Sequence, residues 1–185
     1  MSTFATEKRP APEDIIGCQA AAFEWTESYD TKDWTRLAGC VAPTLYVRPQ
    51  IPIPSPSPLL TPSTHPQLDY TSVLQKKWDA LPSPDFIALA SSPHFLGNPH
   101  IKTQHFMGQS RWIAVSSDEI RGHHQMRVAH QRYKDDEMKE VACVGHAHGA
   151  AVVHYKKVEG VWKFAGLEPD IRWSEGEYAR IFAHE

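Results

Sequence analysis

Eleven histidines in 185 residues are the chief chemical resource of this chain. Each imidazole has a near-neutral pKa and can take up or release a proton near pH 7. They gather mainly between His94 and His154, and two of them, His105 in TQHFM and His130 in RVAHQRY, stand in segments that read as strands. A histidine so placed is as readily a hydrogen-bonded core or surface residue as a catalyst. His146-x-His148 shares one strand face and could touch a metal. Two imidazoles alone are a weak signal, because a catalytic zinc takes a third ligand at a recognisable spacing, so no metal site is assigned. The nucleophile elbow, the P-loop and the dinucleotide glycine pattern are all missing from the sequence, which leaves histidine, carboxylate and tyrosine. Those groups suit proton transfer on a small oxygenated molecule. A base takes an acidic proton beside a carbonyl, hydroxyls hold the enolate, and an acid serves a leaving hydroxide, as in a dehydratase or isomerase.

These residues need a scaffold, and the hydrophobic spacing supplies one. Ile15, Cys18, Ala22, Trp25 and Tyr29 recur on one helix face behind Pro12 and Asp14. A short second helix is expected on Asp33 as cap, carrying Trp34 and Leu37 inward and stopping before Pro43. Tyr29 and Asp30 then sit at a helix end. Tyr70, Val73, Leu74, Trp78 and Leu81 again keep helical spacing, ended by Pro82 and Pro84, with a further short helix over Asp85 to Ala90. From Thr103 the pattern turns to strands: Thr103 to Val115, Glu119 to Tyr133, Lys139 to Lys157 and Val161 to Arg172, with Ser117-Asp118 and Glu159-Gly160 as tight turns. Helices followed by long antiparallel strands predict an α+β fold with helices packed on one face of a curved sheet.

Composition bounds the rest. The length and 41% hydrophobic content fit one soluble domain, here 1–185 with a flexible start over 1–13. A formal charge of −3 argues against nucleic acid or an anionic membrane as the main partner. Cys18, Cys40 and Cys143 are odd in number and widely spaced, which suits reduced core thiols. The polar start MSTFATEKRPAPED lacks a signal-peptide core, and no apolar stretch could span a bilayer. A cytoplasmic protein is expected, with endosomes or vesicles of secondary metabolism as compartments it could associate with. Seven of the fifteen prolines fall between Pro49 and Pro66. The segment 48–67 cannot be a helix or an inner strand, and reads as polyproline II or disorder.

The strings FEWTESYDTKDWTRLAGCVAPTL, KTQHFMGQSRW, GHHQMRVAHQRYKD, MKEV, GHAH and GVWKFAGLEPDIRW closely resemble scytalone dehydratase, the fungal dehydratase of melanin biosynthesis. The resemblance covers about residues 18 to 182 apart from the proline segment. It implies a cone-shaped α+β barrel of the nuclear transport factor 2-like type, usually trimeric, with a pocket that uses no cofactor and acts on a small-molecule polyketide. Carried over by matching strings, the paired tyrosine and aspartate fall on Tyr29 and Asp30. The second pocket tyrosine falls on Tyr70 and the two histidines on His105 and His130. On this footing Asp30 orients His130, His105 shuttles the proton of the elimination, and Tyr29 with Tyr70 polarises the ketone. Read from the residues alone, the tyrosines are packing residues of a helix face and Asp30 is a cap. Tyr178 and Phe182 near the C-terminus complete the expected substrate contacts.

Two departures from the family pattern stand out. After GHAH the family typically has S-x-N, whereas this chain has Gly149-Ala150-Ala151, which takes two polar contacts from one pocket wall and leaves that wall smaller and more apolar. The expected substrate is therefore a larger relative of scytalone, a reduced hydroxyanthracenone on an anthraquinone or xanthone route. The alternatives are a related isomerase or cyclase, a non-catalytic binding or accessory protein, and, more remotely, a metal-dependent enzyme. The second departure is the proline segment just before Tyr70, which is either a surface loop or a translated intron of about twenty codons.

Overall fold

The computed structural model describes residues 8–47 and 78–183. Tyr70, the proline segment 48–67 and the helix expected from Tyr70 up to residue 77 lie outside the described residues. Helix α1 (Pro12–Thr31) opens with proline in its first turn and Glu13 and Asp14 beside the positive end of the helix dipole. It buries Cys18, Ala21, Ala22, Trp25, Tyr29 and two hydroxyl residues, Thr26 and Ser28, whose side chains bond back to helix carbonyls. Its end is a Schellman turn: Lys32 takes the left-handed conformation (φ 58°), the Lys32 N–H donates to the Tyr29 carbonyl at 3.3 Å and the Asp33 N–H to that of Ser28 at 2.9 Å. Asp33 then caps α2 (Trp34–Cys40), accepting from the Arg36 N–H at 2.8 Å, and Leu37 is fully buried as its spacing predicts.

Among the described residues six strands form one curved mixed sheet: β1 (Val41–Val47), β2 (Trp78–Pro82), β3 (Ile101–Ala114), β4 (Glu119–Tyr133), β5 (Val141–Val158) and β6 (Val161–Gly176), in the order β2-β1-β6-β5-β4-β3. Among the described strands only the β1–β6 pairing is parallel. Helix α3 (Ser83–Ala90) and the short α4 (Tyr178–Ile181) complete the described elements. The four long strands fall close to their predicted positions, and the Glu159-Gly160 turn has positive φ at both residues (51° and 81°), as a two-residue hairpin requires.

Two strands depart from the sequence expectation. Trp78 to Pro82 is not the end of a helix but an edge strand, with Leu81 paired to Leu45 and buried in the core. A three-residue Trp-Leu spacing fits a helix face, yet the buried Leu45 opposite Leu81 offers it a ladder partner, and tertiary pairing overrides so short a pattern. Strand β1 was masked by Pro43, which cannot donate to a ladder. The β1–β6 register breaks between Val41 and Tyr46, around that proline.

The core lies between α1 and the concave face of the sheet. Trp25 stacks on Phe164 of β6 at 4.4 Å, and Phe86 of α3 packs against the same ring at 5.8 Å. Period-two alternation turns Ile120, His124 and His130 of β4, and Cys143, Ala147, Ala151, Val153 and Tyr155 of β5, toward that interior. No helix among the described residues is long and apolar enough to cross a membrane.

Candidate active site

The last turn of α1 delivers Tyr29 and Asp30 against the first half of β3, where Thr103 and His105 alternate onto the inner face. Asp30 accepts three hydrogen bonds from that strand. One carboxylate oxygen accepts from Thr103 Oγ1 at 2.8 Å and from His105 Nδ1 at 2.7 Å, and the other accepts from the His105 backbone N–H at 2.8 Å. Burial pushes the Asp30 carboxyl up, but these bonds and the adjacent imidazole outweigh it and hold the group below its ordinary range. An ionised carboxylate can only accept, so His105 Nδ1 carries a proton, and the neutral form of the ring has its lone pair on Nε2. His105 and Asp30 side chains are 8% and 16% exposed, so the pair is largely shielded from water.

His130 lies one strand further, on β4 opposite Thr103, which makes it the diagonal neighbour of His105. It is 5% exposed, and its pKa is pushed down to about 4, first by burial and then by His105, against smaller opposing pulls from the Gly145 and Val128 carbonyls. Its Nδ1 is buried without a hydrogen-bond partner. Tyr178 of α4 and Phe182 just beyond it set their rings edge-on to the imidazole at 5.4 and 5.5 Å, and Phe95 backs Phe182 at 5.1 Å.

The set expected from the sequence thus comes together in part, with one correction. Asp30 orients His105 and not His130, because the helix end docks on β3 and reaches Thr103 and His105 first, leaving His130 behind the Thr103 position. Tyr29 is buried with its ring edge-on to His105 at 5.4 Å and to Trp25 at 5.6 Å, and burial pushes its hydroxyl pKa up. Gly149 and Ala151 lie further along β5, opposite Met126 and His124, whereas His130 faces Gly145. Ala151 is part of the buried core. Gly149 is no emptied side-chain position: a Cβ there would stand 1.9 Å from the Asp170 carbonyl oxygen, where β6 bulges past Arg172. Thr103, missed in the sequence, was signalled only by its i, i+2 relation to His105.

A second polar chain runs through the inner face. Ser110 donates to the Gly108 carbonyl at 3.2 Å, so its oxygen accepts from His124 Nδ1 at 2.7 Å, and Tyr155 donates to His124 Nε2 at 3.0 Å. His146 and His148 are engaged elsewhere. His146 Nδ1 accepts from the backbone N–H of His130 at 3.3 Å, while His148 stacks on Trp173 at 3.6 Å and bonds Glu175 at 3.1 Å. Among the described residues no group of three histidine, cysteine or acidic side chains is placed to hold a metal. An open groove of about 510 Å³ between the N-terminal half of α1 and the β5–β6 turn is lined by none of the histidines.

The scytalone dehydratase family model matches residues 11–51 and 59–185. The chain belongs to the scytalone dehydratase family. It is 52% identical to a scytalone dehydratase-like protein of Passalora fulva, over 95% of this chain and 96% of that one. It is 53% identical to a dehydratase of Pestalotiopsis microspora, over 94% and 96% of the two chains. To the scytalone dehydratase of Pyricularia oryzae it is 48% identical, over 91% and 86%. Two solved structures share the fold at low identity. A protein of Kribbella flavida has a TM-score of 0.65 at 11% identity, covering 94% of this chain and 99% of its own. A type 2 hexachlorocyclohexane dehydrochlorinase has a TM-score of 0.60 at 14%, covering 89% and 88%.

Proposed function

We propose that this scytalone dehydratase family member is a cofactor-independent hydro-lyase that removes water from a hydroxylated cyclic ketone of aromatic polyketide origin. The observation that carries the reading is the largely shielded Asp30–His105 pair with the buried, neutral His130 beside it. His105 Nε2 takes the acidic proton beside the ketone, and Asp30 steadies the imidazolium that forms. His130, neutral near pH 7, offers its single N–H to the oxygen on which negative charge develops. The imidazolium of His105 then returns its proton to the departing hydroxide, so that a C–H and a C–O bond break, a C=C bond forms and water leaves. Tyr29 supplies a wall to His105, and Tyr70 is assigned to the substrate on the resemblance alone.

The substrate we infer is a reduced hydroxyanthracenone rather than scytalone; its support is the change from polar to apolar residues at Gly149 and Ala151 relative to the family pattern, and not added room, since β6 fills the space at Gly149. Cytoplasmic location and a homotrimer belong to the same proposal. The trimer is supported by exposed Phe106, Val144 and Trp173 on the convex side of the sheet. Deleting the encoding gene and profiling metabolites tests the function: a hydroxyketone one water heavier than the normal product should accumulate. Accumulation of an isomer of that product would instead point to an isomerase or cyclase.

A further inference from the structure

Lys32 occupies a backbone position that favours glycine. Its φ of 58° lies in the left-handed region, where a side chain crowds its own carbonyl. The Lys32 side chain is put to use. It folds back half-buried, and its Nζ donates to the carbonyl of Leu96, 64 residues away in the segment 91–100 that joins α3 to β3. Two charged groups face it: Lys102 at the start of β3 and Asp30 on its own helix. The segment it grips is tightly closed on itself, with the Phe95 and Gly97 N–H groups donating to Ser92 O at 2.9 and 3.0 Å. Within this segment Leu96 is buried in the core, and Phe95 supports Phe182 against His130.

The link therefore joins the two walls of the site. One wall is the helix end with Tyr29 and Asp30, and the other is the aromatic packing around His130. We propose that Lys32 is a positioning residue, whose ammonium clamps the end of α1 to the Leu96 carbonyl and so fixes the Asp30–His105 pair relative to His130. This rests on the reading of those histidines as the proton-transfer centre. Burial and Lys102 bring the Lys32 pKa down to about 8, with Asp30 acting the other way. Below that pH the clamp is a charge-assisted bond, and above it a weaker neutral one.

The test uses the full chain with Lys32→Gly and Lys32→Arg. Glycine suits the left-handed position, so Lys32→Gly should melt at or above the wild-type temperature while the amides of Ser92 and His94 to Asn98 exchange hydrogen about tenfold faster. With scytalone and a tricyclic hydroxyanthracenone as probes, Lys32→Gly should lower kcat about tenfold or more with little change in KM, because small misplacements of reacting groups are costly. Lys32→Arg should restore most of kcat and move its alkaline limb above the wild-type position near pH 8. Wild-type protection of the Ser92 and His94 to Asn98 amides in Lys32→Gly, or an unchanged kcat with the same alkaline limb, would overturn the clamp. So would a large fall in its melting temperature, which marks a merely structural role. If the wild type converts neither probe, the dehydratase reading fails, and hydrogen exchange still decides whether Lys32 holds the segment.

Discussion

An imidazole whose Nδ1–H is held by a carboxylate is better able to accept a proton at Nε2, and Asp30 holds His105 in this way through three bonds shared with Thr103. His130 has the opposite surroundings: burial keeps it neutral down to about pH 4. Replacing Asp30 by Asn removes the charge that supports the imidazolium while keeping the shape. That change should lower kcat by about 10²–10⁴-fold with a small change in KM, measured by steady-state turnover. At this scale the sequence conveyed the cast and not the pairing. His105, His130 and Asp30 were legible in the strings TQHF, RVAHQRY and SYD. Which histidine the aspartate meets depends on where a helix end lands on a strand 75 residues away, and no local spacing encodes that.

Strands β3 to β6 were readable because alternation in them is strict over long runs, as in Glu119–Tyr133, whose predicted and observed limits coincide. Strands β1 and β2 were not, since Pro43 interrupts one and Trp78-Asp79-Ala80-Leu81 imitates a helix face in the other. The Ser110–His124–Tyr155 chain ties β3, β4 and β5 together from the exposed Ser110 to the fully buried Tyr155. Tyr155→Phe leaves His124 Nε2 buried without its donor and should cost roughly 1–3 kcal/mol in urea unfolding. Burial depresses the pKa of His124, like that of His130, to about 4 from 6.5. The unfolded chain then binds more protons between those values, so the contribution is full above pH 6.5 and is lost as pH falls toward 4. Each histidine accounts for on the order of 3 kcal/mol over that window, so the melting temperature should drop steeply between pH 6.5 and 4.5, with a shallower fall in His124→Gln.

Across the whole molecule, α1 and the last residues close the concave face of the sheet, while the convex face carries a row of partners in register: Phe106, Arg127, His148 and Trp173. Phe106 is 62% exposed and Trp173 51%, an apolar showing that a trimer contact would cover. Trp173→Glu should shift the sedimenting species from trimer to monomer, and a monomeric wild type would refute the assembly. The helix-then-strand order made this architecture legible in the sequence, but the way β6 fills the space at Gly149 comes from a bulge that composition does not announce. Everything at the site turns on His105 driving a loss of water. Mass spectrometry of a tricyclic hydroxyanthracenone incubated with wild type and His105→Ala tests it most directly. The expected product is lighter by one water and forms about 10²–10⁴-fold more slowly with the variant. Equal rates in the two proteins, or a product isomeric with the substrate, would contradict it.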